Sequence, residues 1–228
     1  MITYHGFKRI IDVLVALLLL LVLAPLLGVL WVLVRLRMGR PAIFRQERAG
    51  LRARPFLVMK FRSMSQDRDA QGRLLPDLQR LSGLGRFLRR SSLDELPQLW
   101  NVVRGEMSLV GPRPLYMDYV PRYTPQQLRR LEVRPGITGL AQVSGRTSLG
   151  WAERLQLDVD YVNGISLGLD VRILARTLKK VLARSEVPST GVDPTKQFLG
   201  TGQGGEDTSP ANGDPVGAGL RDPREGVG

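Results

Sequence analysis

Residues 13–34 read VLVALLLLLVLAPLLGVLWVLV, 22 positions without a charge, an Asn or a Gln. As a helix this run is roughly 33 Å long, enough to cross a hydrocarbon core of about 30 Å. A secretory signal fits poorly, because the run is too long and Arg35, Leu36 and Arg37 follow where a small-residue cleavage site would stand. A core helix fits poorly too, since in a domain of this size such helices keep a polar face, and only the core of a large protein takes one that is apolar all round. The expectation is membrane contact. Pro25 stands at the centre of the run and Gly28 one turn later, where a helix loses a backbone bond and can bend. Each half is then about one leaflet deep. Lys8 and Arg9 precede the run, and Arg35, Arg37 and Arg40 follow it, so the positive-inside rule draws both flanks to the cytoplasm. A helix that enters, breaks at Pro25 and returns satisfies both clusters; a straight, merely kinked span exports Lys8 and Arg9. Residue physics leaves these readings even, and both keep the larger C-terminal part inside the cell.

That part is strongly basic. The 228 residues carry 33 Lys+Arg against 21 Asp+Glu, a formal net charge of +12. Residues 187–228 are net acidic, so residues 1–186 are more basic still. Such a body seeks phosphates, in nucleic acid, nucleotides or anionic lipid. With no Cys and one His, His5, the chain offers no disulfide, thiolate metal site, Cys nucleophile, multi-His metal site or Ser-His-Asp chemistry. Catalysis would rest on carboxylates, Lys, Arg, Tyr or hydroxyls, with or without a hard metal.

Three regions follow from the pattern: 1–40 in the membrane, 41–186 as a globular body, and 187–228 as a tail. PAIFRQERAG and RPFLVMKFRSM read as two short strands about Ala49 and Gly50. GLGRFLRR and SSLDELPQLWNVVRG read as short helices, and residues 125–132 and 151–162 as two more. Residues 170–184, DVRILARTLKKVLAR, form an amphipathic helix. Val171, Leu174, Leu178, Val181 and Leu182 share one face, and Arg172, Arg176, Lys179, Lys180 and Arg184 the other. That composition suits an interfacial helix on anionic lipid, or a surface helix packing its stripe on the core. Beyond Val187 the sequence is rich in Gly, Pro, Ser, Thr and Asp, and is expected to be a disordered, dispensable tail. The fold class expected is α+β: a re-entrant membrane helix, interfacial helices and a small β-hairpin unit.

Four groups of residues could carry chemistry. Asp94 and Glu95 are adjacent carboxylates in SSLDELPQL, where Ser92 and Glu95 have the spacing of a capping box that puts Asp94 in a first helical turn. There the helix end favours anions, Arg89 and Arg90 lie about one turn upstream, and Pro97 leaves a carbonyl unpaired. Taken alone, an ordinary helix cap explains the pattern. Lys60 and Arg62 in KFRSM fall on one face of a strand and could cradle a diphosphate. In GPRP, Pro112 and Pro114 stiffen the backbone around Arg113, whose fork fits two phosphate oxygens. RPGITGLAQVSGR is a Gly-rich loop ending in Arg146, without the spacing of a P-loop.

FKRIIDVLVA, the central Pro25, GRPAIFRQERAG, KFRSM, RRSSLDELPQLWNVVRGEMSLVGPRP, RPGITGLAQVSGR and LDVDYV occur in the order and spacing of a known family. Over roughly residues 6–185 the chain resembles bacterial sugar transferases, the monotopic phosphoglycosyl transferases or polyprenyl-phosphate sugar phosphotransferases, in minimal catalytic form. The resemblance implies transfer of a sugar 1-phosphate from a UDP-sugar to undecaprenyl phosphate, with release of UMP and a need for Mg²⁺. It implies that Asp94 is the nucleophile of a phosphosugar intermediate and Glu95 its partner, both near the metal. Arg89 and Arg113 then bind phosphate, and Lys60 and Arg62 line the same site; Arg146, at the end of the Gly-rich loop, is a further candidate for phosphate binding. Membrane lipids and downstream glycosyltransferases are the further partners, no nucleic acid is expected, and the site faces the cytoplasm from the bacterial inner membrane. Three positions depart from the family pattern: Ala24 replaces the Ser before Pro25, and Leu140 and Ser144 replace a Trp and an Asn. The rivals are a membrane-tethered nucleic-acid-binding module and a non-catalytic scaffold. Against the first, no helix-turn-helix, RRM or zinc pattern is present.

Overall fold

A computed structural model describes residues 2–145, 149–183, 198 and 200. Helix α1 (Ile2–Met38) is continuous through Pro25. It meets the rest of the protein along a stripe spaced by three and four residues, the pitch that keeps side chains on one face. Ala16, Leu20 and Leu23 join one core cluster, and Leu27, Leu30, Val34 and Met38 join another. The remaining faces present Leu14, Leu18, Leu21, Val22 and Leu36 to the surroundings. Polar contacts fasten both ends to the same body. Near the start, Lys8 pairs with Asp170 at 2.6 Å and the Ser108 hydroxyl donates to Asp12 at 2.6 Å. Near the other end, Arg62 donates to the carbonyls of Met38 and Arg40.

The two expected strands form an antiparallel hairpin, β1 (Ile43–Ala49) and β2 (Pro55–Phe61), with Phe44 opposite Lys60 and Arg45 opposite Met59. Asn101, fully buried, clamps β2 from behind: it accepts from the Met59 N–H and donates to the Leu57 carbonyl. After a short helix α2 (Asp77–Arg80) come α3 (Gly83–Ser91), capped by the Ser82 hydroxyl, and α4 (Gln98–Arg104). The loops GPRP and RPGITG, far apart in sequence, are joined by a parallel pair, β3 (Ser108–Val110) with β4 (Gly136–Thr138). Their backbones run so close that a Cβ on Gly136 would lie 2.1 Å from the Gly111 nitrogen, so glycine is required there. Between them stands α5 (Pro125–Leu128), capped by a Thr124–Gln127 box.

Three helices close the fold: α6 (Leu140–Ser144), α7 (Trp151–Gly164) and α8 (Leu167–Leu182). Helix α8 docks through Asp170 and Ile173, and leaves Leu167, Val171, Leu174, Leu178 and Val181 exposed. Its apolar stripe is therefore not the face that packs on the core.

Most of the expected tail lies outside the described residues, but Phe198 corrects the expectation that nothing there docks. It is buried in a cluster with Tyr119, Tyr123 and Trp151, and Arg122 donates to its carbonyl. The ring centroids lie 5.4–5.7 Å apart, the range of favourable aromatic pairs.

Candidate active site

Asp94 and Glu95 stand at the corner between α3 and α4, and the expected capping box is not formed. Ser92 closes α3 in the left-handed region (φ 56°), and its side chain caps nothing. The Glu95 N–H instead bonds the Ser92 carbonyl at 3.2 Å, closing a tight 3-10 turn, Leu93–Glu95. Pro97, lacking an N–H, then stands ahead of α4. The carboxylates thus occupy a turn wedged against β2 rather than a first helical turn.

Three of the expected basic residues converge on this corner. Lys60, from the cleft face of β2, pairs with Glu95 Oε1 at 2.8 Å, and Arg113 reaches the same oxygen at 3.1 Å. Arg89 donates through Nε to the Ser63 hydroxyl at 2.9 Å, and its charge acts on Asp94. Phe44, Gln46, Arg48, Gln98 and Pro114 line the shallow cleft beside Lys60 and Arg113. Arg62 is not with them. The strand ends at Phe61, so alternation does not carry Arg62 to the cleft; it is buried against the end of α1 instead. Arg146 lies outside the described residues.

The adjacent carboxylates differ in state. Asp94 is buried, and its carboxylate accepts no hydrogen bond among the described residues; burial and then the neighbouring Glu95 push it up to about 6. Burial acts to raise Glu95 as well, but Lys60 and Arg113 outweigh it and hold Glu95 well below the usual carboxylate range. One carboxylate is fixed as an anion between two cations. The other gives up its proton less readily than an ordinary aspartate.

No group of three or more His, Cys, Asp or Glu gathers as a metal site among the described residues. Two adjacent carboxylates nevertheless suit Mg²⁺, a hard cation that commonly takes one or two protein carboxylates and completes its shell with water and substrate phosphates. Asp94, with no competing hydrogen bond among the described residues, is the better donor.

Sequence reasoning missed the support behind Arg113. Arg130, fully buried, pairs with Asp158 of α7 at 2.8 Å and donates to the Arg113 carbonyl at 2.6 Å. Its guanidinium thus ties α7 to the loop that presents Arg113. Charged residues in LRRLEV and LDVDYV were visible, but nothing local pairs positions 28 residues apart.

A sequence model described as Bacterial sugar transferase matches residues 3–184. The Uncharacterized sugar transferase EpsL of Bacillus subtilis (strain 168) is 47% identical over 195 residues, covering 86% of this chain and 96% of that protein. The UDP-glucose:undecaprenyl-phosphate glucose-1-phosphate transferase of Caulobacter vibrioides is 42% identical over 187 residues, 77% of this chain and 69% of that one. The Undecaprenyl-phosphate galactose phosphotransferase of Salmonella typhimurium is 39% identical over 194 residues, 78% of this chain but 40% of that longer protein.

Proposed function

The chain belongs to the bacterial sugar transferase family and is a phosphoglycosyl transferase; on that footing we propose that it moves a sugar 1-phosphate from a UDP-sugar to undecaprenyl phosphate, by way of a phosphosugar carried on Asp94. An Asp94 carboxylate oxygen bonds to the sugar-bearing phosphorus while the bond from that phosphorus to the bridging oxygen breaks, and UMP leaves. An oxygen of undecaprenyl phosphate then attacks the same phosphorus, and Asp94 departs as the carboxylate. Lys60 and Arg113 hold Glu95 and turn positive charge toward the incoming phosphates; Arg89 adds to it. When bound, Mg²⁺ would neutralise the diphosphate beside Asp94 and Glu95.

The observation that carries this reading is the contrast within the carboxylate pair. Glu95 is occupied by two cations, whereas Asp94 is buried and accepts no hydrogen bond among the described residues. The test is incubation with UDP-sugar and Mg²⁺ and no lipid acceptor. UMP should appear up to one equivalent and stop, and the protein should gain the mass of a sugar phosphate at Asp94. Direct attack by the lipid phosphate, with Asp94 only holding metal, gives neither UMP nor adduct. The relatives named for glucose and galactose make UDP-glucose and UDP-galactose the first donors to try.

Membrane association follows from the broad exposed apolar surface of α1. We propose further that α1 is re-entrant, bending at Pro25 without the helix ending there, and that the body is cytoplasmic. The polar anchors at both ends, Lys8 to Asp170 and Met38 to Arg62, hold them to one basic body, which supports a same-side arrangement. The exposed apolar stripe of α8 supports its lying on the interface.

A further inference from the structure

Strand alternation gives the β1–β2 hairpin a second face. Phe44, Gln46, Val58 and Lys60 turn to the catalytic cleft, so Arg45, Leu57 and Met59 turn away from it. Behind them lies a cavity of about 480 Å³, closed by the hairpin turn and by the segment that ends α4. This falls in the range of small-molecule sites. Phe56, Leu57 and Met59 give it an apolar floor; Arg45, Arg54, Arg104 and Arg134 surround it, against the carboxylate of Glu106.

That carboxylate is already engaged, accepting from Asn101 at 2.6 Å and pairing with Arg104 at 3.3 Å. Arg134 spends its Nε on the Gly105 carbonyl. The guanidinium groups of Arg45 and Arg54 make no hydrogen bond or ion pair among the described residues. Four guanidinium groups and one committed carboxylate leave a net charge of about three around an apolar floor, the chemistry of a phosphate attached to something greasy.

Its position narrows the source. Arg9, at the start of the apolar run of α1, donates to the Val102 and Val103 carbonyls, and its guanidinium lies against Gly105 on the cavity wall. Trp100, one turn before Arg104 on α4, is half exposed, as aromatic residues are at a membrane interface. With α1 in the membrane, the cavity would stand at headgroup depth, beside the end of α1 that carries Arg9. We propose that it binds the phosphate-diester headgroup of an anionic phospholipid, separately from the catalytic cleft on the other side of the hairpin. This rests on the membrane reading of α1.

The test uses the full chain reconstituted in phosphatidylcholine vesicles with a minor fraction of phosphatidylglycerol, extracted gently and weighed intact by native mass spectrometry. The wild type should retain phosphatidylglycerol in preference to phosphatidylcholine. Arg45→Gln/Arg54→Gln should retain roughly tenfold less, having lost two charge-assisted donors. Leu57→Trp, which fills the cavity and keeps every arginine, should do the same and guards against misfolding of the double variant. Acceptor-free UMP release should be unchanged in both, since neither touches the Asp94 cleft. Equal lipid retention in wild type and variants would overturn the inference. Displacement of the lipid by millimolar inorganic phosphate or UMP would assign the cavity to a soluble phosphate and overturn it too. Flotation with pure phosphatidylcholine vesicles separates the premise: a wild type that does not float overturns the membrane reading and this inference together, whereas floating protein with unselective retention overturns the inference alone.

Discussion

Glu95 meets Lys60 and Arg113 directly, while Asp94, one residue earlier, is buried beside that negative charge and pushed up to about 6. A nucleophilic carboxylate must be ionised, so the acceptor-free UMP burst should rise with pH through about 6 and level off above about 7. A rate flat from about pH 5 to 8 would contradict this role. The same shift has a stability consequence. An unfolded aspartate ionises near 3.8, the folded one about two units higher, so the folded state binds more protons between those values and loses stability as pH rises through the window. Asp94→Asn should therefore abolish the burst yet raise the unfolding free energy near neutral pH, on the order of 1–3 kcal/mol, with the gain vanishing below about pH 4. Thermal melts at two pH values would show it; a variant destabilised at neutral pH would argue that Asp94 helps hold the turn. The motif DELPQ was legible, but the split of SSLDELPQLWNVVRG into a 3-10 turn and α4 on either side of Pro97 was not, since Pro97 gave only an unpaired carbonyl. The left-handed Ser92 was not, because serine at that spacing is an ordinary cap and only packing against β2 selects the tighter turn.

The hairpin and α3 follow from alternation and from the Ser82 cap, which are local signals, and both are found where the pattern puts them. Arg62 escapes the alternation because periodicity cannot say where a strand stops; one residue past Phe61 its side chain donates instead to the Met38 carbonyl that ends α1 and to that of Arg40. For α1 itself the anchors at both ends make a sharp expectation. A single Cys introduced near residue 5, and another beyond residue 200, should both resist a membrane-impermeant thiol reagent applied outside intact cells. Labelling of the first alone would mean a straight span. Pro25→Ala restores the missing helical bond and should move the N-terminus outward in a fraction of molecules, seen as partial labelling. The Arg130–Asp158 pair makes a second expectation between elements. Arg130→Met leaves Asp158 buried without its partner and should cost about 3–5 kcal/mol, whereas Arg130→Met with Asp158→Leu should recover much of that loss. If the double variant recovers stability but not the UMP burst, the bond from Arg130 to the Arg113 carbonyl positions Arg113 for catalysis.

Across the whole molecule, the family motifs end near residue 184, and composition made everything after Val187 look like solvated chain. Composition is an average, and it misses one aromatic residue set among glycines and prolines. Phe198 returns to the body and fills the cluster of Tyr119, Tyr123 and Trp151, which continues into Leu115 and Tyr116 directly after the GPRP loop. A phenylalanine buried among aromatic rings gains both apolar burial and favourable ring contacts. Truncation within the tail should therefore depend sharply on position. A chain ending at residue 205 keeps Phe198 and should melt like the full protein. A chain ending at residue 190 loses it and should match Phe198→Ala, each destabilised by about 3–5 kcal/mol, the cost of emptying an aromatic site. Because the emptied cluster adjoins the loop that carries Arg113, these two should also bind donor more weakly, raising KM more than they lower kcat. If the chains ending at 190 and 205 melt together, the docking of Phe198 contributes nothing and the tail is as dispensable as its composition suggests.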